Sequence, residues 1–397
     1  MNHFLRTAIA LGLITAVGPF AIDMYLPALP SIGGSLGADA AAVQMTLTAF
    51  FVVFGACQLI YGPLADIFGR KLPIYGGLAL FTAGCIGCAL SPTVGVLIGF
   101  RVLQALGACA CMVVPRAIVR DLHTGHEATR LMSLLMLTVS VSPILAPLAG
   151  SGVIAVIGWR GVFWVLTVGA LAAIALAVFE LDETRPPEAR RASSWGSAFR
   201  AYGQLMRDRG FLALTAVGAF GIAAFFAYLG SASFVLIEHY GLTPTEFSLC
   251  FALNAASFFG FSQLTGVMTK RFGLPPVIKA ASLGFALCMA ATAALVLGGF
   301  DSLPVLMVGL FAGYGFLGLV LPTSAVLSLE HHGAIAGTAS ALSGALQMLI
   351  GAALMALGGL LADGTARPMI AVIALSALLA AATAWAALRR PLSVMPA

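Results

Sequence analysis

Twelve apolar runs, each about as long as a bilayer is thick, are the strongest constraint on this chain. In order they cover residues 6–28, 43–63, 73–91, 94–115, 131–152, 161–180, 211–236, 245–268, 275–298, 303–328, 334–360 and 369–388. A membrane-spanning helix needs about 20 consecutive apolar residues. Its backbone polar groups must also be satisfied within the helix, because hydrocarbon offers no partner. The expected fold is therefore an all-α polytopic membrane protein with 12 transmembrane helices, here spans 1 to 12, in two six-helix bundles. Composition closes the alternatives. Only 9% of the 397 residues are charged and 60% are apolar, against about 25% charged in a soluble domain, and disordered chains are poor in apolar residues. Span 1 is too long for a signal peptide, and it carries Asp23.

Lys and Arg orient the chain. With a cytoplasmic N-terminus, Arg70, Lys71, Arg116, Arg120, Arg130, Lys270, Arg271, Arg389, Arg390 and the six arginines of 181–210 all fall inside. Of 20 basic residues only Arg160 and Arg367 fall outside, and Arg101 lies within span 4, which leaves 17 inside. Such a bias predicts both termini on the cytoplasmic side. It also explains the net charge of +5 as a topology signal spread over many loops, so no nucleic-acid partner is expected. All seven cysteines sit in apolar runs, and Cys85-x-x-Cys88 has no second pair nearby, so packing is expected rather than a disulfide or metal framework.

One long hydrophilic stretch divides the chain. The expected organisation is an N-terminal six-helix bundle over 1–180, a cytoplasmic linker over 181–210 with a short amphipathic helix near Trp195–Arg207, and a C-terminal bundle over 211–397. A duplication is visible across the linker. Gly62-Pro-Leu-Ala-Asp-Ile-Phe-Gly69 follows span 2 and Gly266-Val-Met-Thr-Lys-Arg-Phe-Gly273 follows span 8, an offset of 204 residues. Repeated halves around a central cavity are a transporter plan.

The string Gly62-Pro-Leu-Ala-Asp66-Ile-Phe-Gly69-Arg70-Lys71 resembles the signature loop of the major facilitator superfamily. Arg101-Val-Leu-Gln104-Ala-Leu-Gly107 resembles the superfamily's second motif, with Ala105 where the family often has Gly. Asp23-Met-Tyr-Leu-Pro-Ala-Leu-Pro30 and Ser142-Pro-Ile-Leu-Ala-Pro147 resemble its Bcr/CflA branch of drug-resistance exporters. The resemblance implies the major facilitator fold and a multi-pass protein of the bacterial inner membrane. It further implies drug/H+ antiport by alternating access, with substrates similar to phenicols, bicyclomycin or sulfonamides. No cofactor is implied beyond protons as coupling ion. The expected partners are a small-molecule drug and the lipid bilayer, and a monomer is expected.

Asp23 and Arg101 read as the only ionisable residues well inside the spans. A charge there costs a few kcal/mol or more and faces a cavity or a partner. Asp23 can be neutral or charged whereas Arg101 stays charged, and burial favours the neutral acid while a nearby guanidinium favours the carboxylate. Asp23 is therefore the expected proton carrier and Arg101 its electrostatic partner. Met24, Tyr25, Phe225, Tyr228, Asn254 and Gln347, with Asp23 and Arg101, form the expected substrate-binding set. Gly62, Asp66, Gly69, Arg70, Lys71 and Asp121 form an expected conformational latch. In it Arg70 pairs with Asp121, and the start of span 11, near Gly337 and Thr338, is the partner across the seam.

Other strings are discounted. Gly313-x-Gly315-x-x-Gly318 lies inside span 10 with no preceding strand, so helix packing is expected rather than nucleotide binding. Gly95-x-x-x-Gly99 and Gly309-x-x-x-Gly313 read likewise as packing signals. Adjacent Glu330, His331 and His332 have poor geometry for a metal, so no metal site is expected. Two alternatives stay open at this point: a proton-coupled metabolite carrier and a membrane-embedded enzyme. The second needs catalytic groups that one Asp and one Arg do not supply, so the chain is not expected to be an enzyme.

Overall fold

The computed structural model describes residues 3–192, 194–330 and 332–388, and every regular element among them is helical. His331, Arg389 and Arg390 of the patterns above lie outside the described residues. Among the described residues, twelve helices are long and apolar enough to cross a membrane: Phe4–Leu36, Ala40–Phe68, Lys71–Ala89, Val94–Leu122, Gly125–Ile157, Trp159–Glu180, Arg209–His239, Pro244–Phe272, Leu274–Leu297, Leu303–Leu329, Ala336–Leu360 and Arg367–Ala387. They are spans 1 to 12. The linker forms the helix Trp195–Leu205, close to the expected position, and also a short helix Pro187–Ala192 that begins on a proline.

Several spans outrun the apolar runs. Span 4 has 29 residues and continues to Leu122 rather than 115. At ~1.5 Å per residue it is about 43 Å long, against about 30 Å of hydrocarbon. The polar last turns stay helical beyond the apolar core. Asp66, Arg116, Arg120, Asp121 and Arg130 therefore stand on helices and not in loops.

The residues group into two compact units, Met1–Phe199 with Pro244–Leu249, and Arg200–Thr243 with Cys250–Ala397. In the first unit span 1 is broken. Its α-helix ends at Asp23, a 3-10 turn covers Leu26–Ala28, and a second helix runs Leu29–Leu36. Pro27 dictates the break, because it lacks an N–H and its ring collides with the carbonyl four residues back, which is that of Asp23. Gly150 of span 5 lets that span lie directly on the break: a Cβ there would stand 2.2 Å from the Met24 carbonyl oxygen.

Spans 3 and 4 meet backbone to backbone. A Cβ on Gly107 would lie 2.2 Å from the Gly77 carbonyl oxygen, and one on Gly84 would lie 2.7 Å from the Gln104 nitrogen. This contact fixes the rotation of span 4. Gly95 and Gly99, expected as packing positions, instead face open space on an exposed side of span 4. The four-residue glycine spacing marks a face, and here that face has no neighbouring helix.

In the second unit, span 7 runs as an α-helix over Arg209–Ser233 and relaxes into a π-helical turn over Phe234–His239. The glycines of span 10 are packing residues. Cβ atoms on Gly309 and Gly313 would meet Thr292 and Met289 of span 9, and one on Gly318 would stand 2.2 Å from the Phe258 carbonyl oxygen of span 8. All seven cysteines are free thiols, five of them buried.

The span 3–span 4 contact predicts a sharp contrast between two substitutions. Gly107→Val should destabilise the detergent-purified protein by about 1–3 kcal/mol through overpacking, while Gly99→Val leaves its thermal midpoint unchanged. Thermal unfolding of both variants checks this.

Candidate functional site

The polar interior of the first unit is built around the break in span 1. Asp23, the last residue before the break, is buried at 5% exposure. Its Oδ2 accepts a hydrogen bond from the Ser142 hydroxyl of span 5 at 2.9 Å. Tyr25, in the turn itself, is fully buried and shares a hydrogen bond with Thr46 of span 2 at 2.9 Å. Met24 is buried beside it.

Arg101 of span 4 is fully buried. Its guanidinium lies 4.6 Å from the Tyr25 ring centre and 4.4 Å from that of Phe50. Nη1 donates to the Ala21 carbonyl at 3.1 Å and to Gln104 Oε1, while Gln104 Nε2 donates to Cys85 Sγ. Nε and Nη2 have no hydrogen-bond partner. Each desolvated cation–π contact is worth about 2 kcal/mol, and the rings take the place that a counter-ion would otherwise fill. Asp23 and Arg101 thus flank the same turn without forming an ion pair: the carboxylate rests on Ser142, the guanidinium on Ala21, Gln104 and two rings.

The expected second-unit residues fall into two groups. Tyr228 stacks on Phe251 with ring centres 5.6 Å apart and contacts Tyr314 at 5.4 Å. Phe225 stacks on Phe258 and meets Tyr314 edge-on. Asn254 Nδ2 donates to the Tyr228 hydroxyl at 3.0 Å, and its Oδ1 is buried without a partner. Gln347 stands apart from this aromatic cluster. It donates to Ser343 at 3.1 Å and packs over Gly218 of span 7.

At the turn between spans 2 and 3 the chain assembles a charge network. Arg70 is 3% exposed. Its Nε donates to Asp121 at 2.7 Å and its Nη1 to Asp66 at 2.9 Å. Burial works against the Arg70 charge, but the Asp121 bond and both carboxylates outweigh it and hold the guanidinium protonated more firmly than a free one. Gly69 makes the turn at φ +90, where a Cβ would also stand 2.5 Å from Glu183 Oε2. Gly273 repeats this backbone at φ +81. Gly62 has nothing within 4 Å of a Cβ, so it is not a close-approach position.

Glu183 is one residue the sequence reading missed. It accepts the backbone N–H groups of Arg70 at 2.9 Å and of Lys71 at 3.2 Å, and so caps the start of span 3. Beside it Thr184 donates to Asp121 at 3.0 Å, and Arg185 lies 3.7 Å from Asp66. Partial burial opposes the Glu183 charge. The N–H donors of Arg70, Arg185 and Lys71, with Arg190 at 3.6 Å, outweigh it and hold the carboxyl below its ordinary range. The charged string Asp182-Glu183-Thr184-Arg185, just beyond the apolar run 161–180, was the available signal. Ser142, Thr46 and Phe50 were also absent from the expected set. Ser142 stood in a quoted motif, while Thr46 and Phe50 carried no signal distinct from any other span residue.

Two predictions follow the geometry of this network. Removing Asp121 strips a buried guanidinium of its best partner, so Asp121→Asn should destabilise the protein by about 3 kcal/mol. Asp66, 43% exposed in its side chain, should matter less, with Asp66→Asn at about 1 kcal/mol or below; thermal unfolding ranks the two. Glu183, with its depressed pKa, contributes stability at neutral pH that is lost as the pH falls below about 4.5, the ordinary carboxylate value. Glu183→Gln should therefore lower the thermal midpoint at pH 7 and bring it closer to wild type as the medium is acidified.

Comparison with known proteins gives the chain its relatives. The model described as Major Facilitator Superfamily matches residues 11–355. An uncharacterized MFS-type transporter, YdgK of Bacillus subtilis (strain 168), is 36% identical over 382 residues, covering 94% of this chain and 93% of the relative. A chloramphenicol resistance protein of Pseudomonas aeruginosa is 30% identical over 376 residues, covering 92% and 86%. Among solved structures, a bacterial homolog of the human lysosomal transporter Spinster superposes with a TM-score of 0.77 at 18% identity, covering 98% of this chain and 97% of that one. This last likeness is one of fold alone.

Proposed function

The chain belongs to the major facilitator superfamily and is a multi-pass membrane transporter, and we propose that it exports a small antibiotic or similar drug in exchange for protons. In this reading it lies in a bacterial inner membrane as a monomer, with both termini cytoplasmic, and works by alternating access. Asp23 carries the proton and Arg101 supplies the fixed positive charge beside it.

One observation carries the reading. Asp23 is a buried carboxylate whose hydrogen-bond partner is a neutral hydroxyl, and no direct ion pair commits it to the ionised state. The neutral acid and the carboxylate are both reachable, and a buried group of that kind marks a proton or ion pathway. Arg101 cannot release its proton, so the charge of the region changes with Asp23 alone. Entry of a proton cancels the carboxylate, and loss of the proton restores it. A drug whose binding senses that charge is then exchanged against the proton.

Met24, Tyr25, Phe225, Tyr228, Asn254 and Gln347 are the proposed drug contacts. They offer apolar and aromatic surface with a few placed polar groups, the usual make-up of a small-molecule site. The relative from Pseudomonas aeruginosa, named for chloramphenicol resistance, makes chloramphenicol the first substrate to try. The Asp66–Arg70–Asp121 network is the proposed latch, its strength drawn from a buried guanidinium held by two carboxylates.

The decisive experiment uses purified protein in vesicles with an imposed pH gradient. Wild type should accumulate chloramphenicol against its concentration gradient, and Asp23→Asn should lose uphill transport while retaining exchange of labelled for unlabelled drug. Undiminished uphill transport by Asp23→Asn would remove the proton-carrier role.

A further inference from the structure

The two repeated strings differ in charge. At the offset that aligns Gly62 with Gly266 and Gly69 with Gly273, Lys270 stands against Asp66 and Arg271 against Ile67. In the first unit Arg70 is held by two carboxylates. In the second, Lys270 and Arg271 are exposed and belong to none of the ion pairs among the described residues. Arg271 rests over the Phe272 ring at 5.2 Å, a contact that leaves its charge in place. No Asp or Glu occurs between Glu246 and Asp301, so the chain supplies no nearby carboxylate along spans 8 and 9.

The two charges border an open cavity of about 690 Å³, lined by Gln263, Gly266, Val267, Lys270 and Arg271. Gly266 keeps it open: a Cβ there would find nothing within 4 Å, and the same holds at Gly260. Away from the charges the lining turns apolar. Leu253, Leu264 and Val267 are all exposed, and with Gly260 they recur at the seven- and four-residue spacings of a single helix face.

Depth separates the two parts of this surface. Span 8 has 29 residues and is about 43 Å long, against about 30 Å of hydrocarbon, so its last turn stands at the level of the lipid headgroups. Lys270 and Arg271 belong to that turn, which ends at Phe272. Leu264 lies about 12 Å further in, with Gly260 and Leu253 deeper still. An unneutralised basic pair at headgroup depth, joined through a cavity to an apolar stripe at acyl-chain depth, matches one kind of bilayer molecule. A free phosphate would satisfy the charges and leave the stripe bare.

We infer that this end of span 8 binds an anionic glycerophospholipid. The phosphodiester accepts hydrogen bonds from Lys270 Nζ and the Arg271 guanidinium, and the headgroup fills the cavity over Gly266. One acyl chain follows Val267, Leu264 and Gly260 toward Leu253. The site lies wholly within the second unit and does not depend on the export reading.

Native mass spectrometry of the full-length, detergent-purified protein tests this, with phosphatidylglycerol and phosphatidylcholine titrated separately. A basic residue at the membrane surface is worth about fivefold in affinity for an anionic lipid. Wild type should therefore hold its first phosphatidylglycerol about 25-fold more tightly than phosphatidylcholine. Lys270→Gln and Arg271→Gln should each cut that preference about fivefold, and the double variant should erase it. Arg120→Gln, which removes an exposed charge from span 4, should leave it unchanged. Gly266→Leu, which fills the cavity and keeps both charges, should weaken phosphatidylglycerol binding severalfold. Equal lipid affinities in wild type overturn the site, as does a preference that survives in the double variant or falls as far in Arg120→Gln. Undiminished binding by Gly266→Leu also overturns it. Displacement of the lipid by inorganic phosphate at matched ionic strength assigns the charges to a free anion. A dimer lost on Lys270→Gln assigns the face to a second copy of the chain; either result overturns the lipid site.

Discussion

The free energy of holding a charge inside an apolar bundle is the constraint on which the rest of this structure depends. The protein meets it in different ways at different points. Arg70 has two carboxylates, an arrangement suited to a fixed structural charge. Arg101 has aromatic faces, a carbonyl and an amide, which stabilise the cation without neutralising it. Asp23 has one hydroxyl, the weakest support of the three. In the proposed exchange cycle it is the group so lightly held whose charge changes, while the two arginines supply a constant background.

The backbone makes that arrangement possible. Pro27 stops the first helix of span 1 at Asp23, and the turn that follows places Tyr25 against Thr46 and the Arg101 guanidinium. Gly150 lets span 5 close on the break, and Ser142 of the same span reaches the carboxylate. The glycine contact of spans 3 and 4 sets which face of span 4 turns inward, and with it the positions of Arg101 and Gln104. A few residues that carry no chemistry, Pro27, Gly107 and Gly150, therefore place those that do.

The number and order of the spans were legible in the chain because hydropathy is local and bilayer thickness is a fixed length. Side-chain partners were not, because they depend on helix rotation and register. Ser142 lies 119 residues from Asp23, and Glu183 lies 113 from Arg70; no local pattern relates either pair. The end of span 4 was set too early for a different reason. Pro115 looked like the end of span 4, yet a proline inside a transmembrane helix is tolerated where neighbours re-satisfy the backbone. The Gly95-x-x-x-Gly99 spacing misled because it records a smooth helix face without recording whether another helix lies against it.

Glu183 changes what the stretch between the two halves is. Its carboxylate holds the backbone of a turn more than a hundred residues earlier, with Thr184 and Arg185 at its side. Residues 183–190 are therefore part of the first bundle's own fabric, and the tether proper begins after them. If the protein were divided into two co-expressed polypeptides, the cut would have to come beyond residue 192. A cut at the end of span 6 would leave the first half without the carboxylate that closes its 2–3 turn.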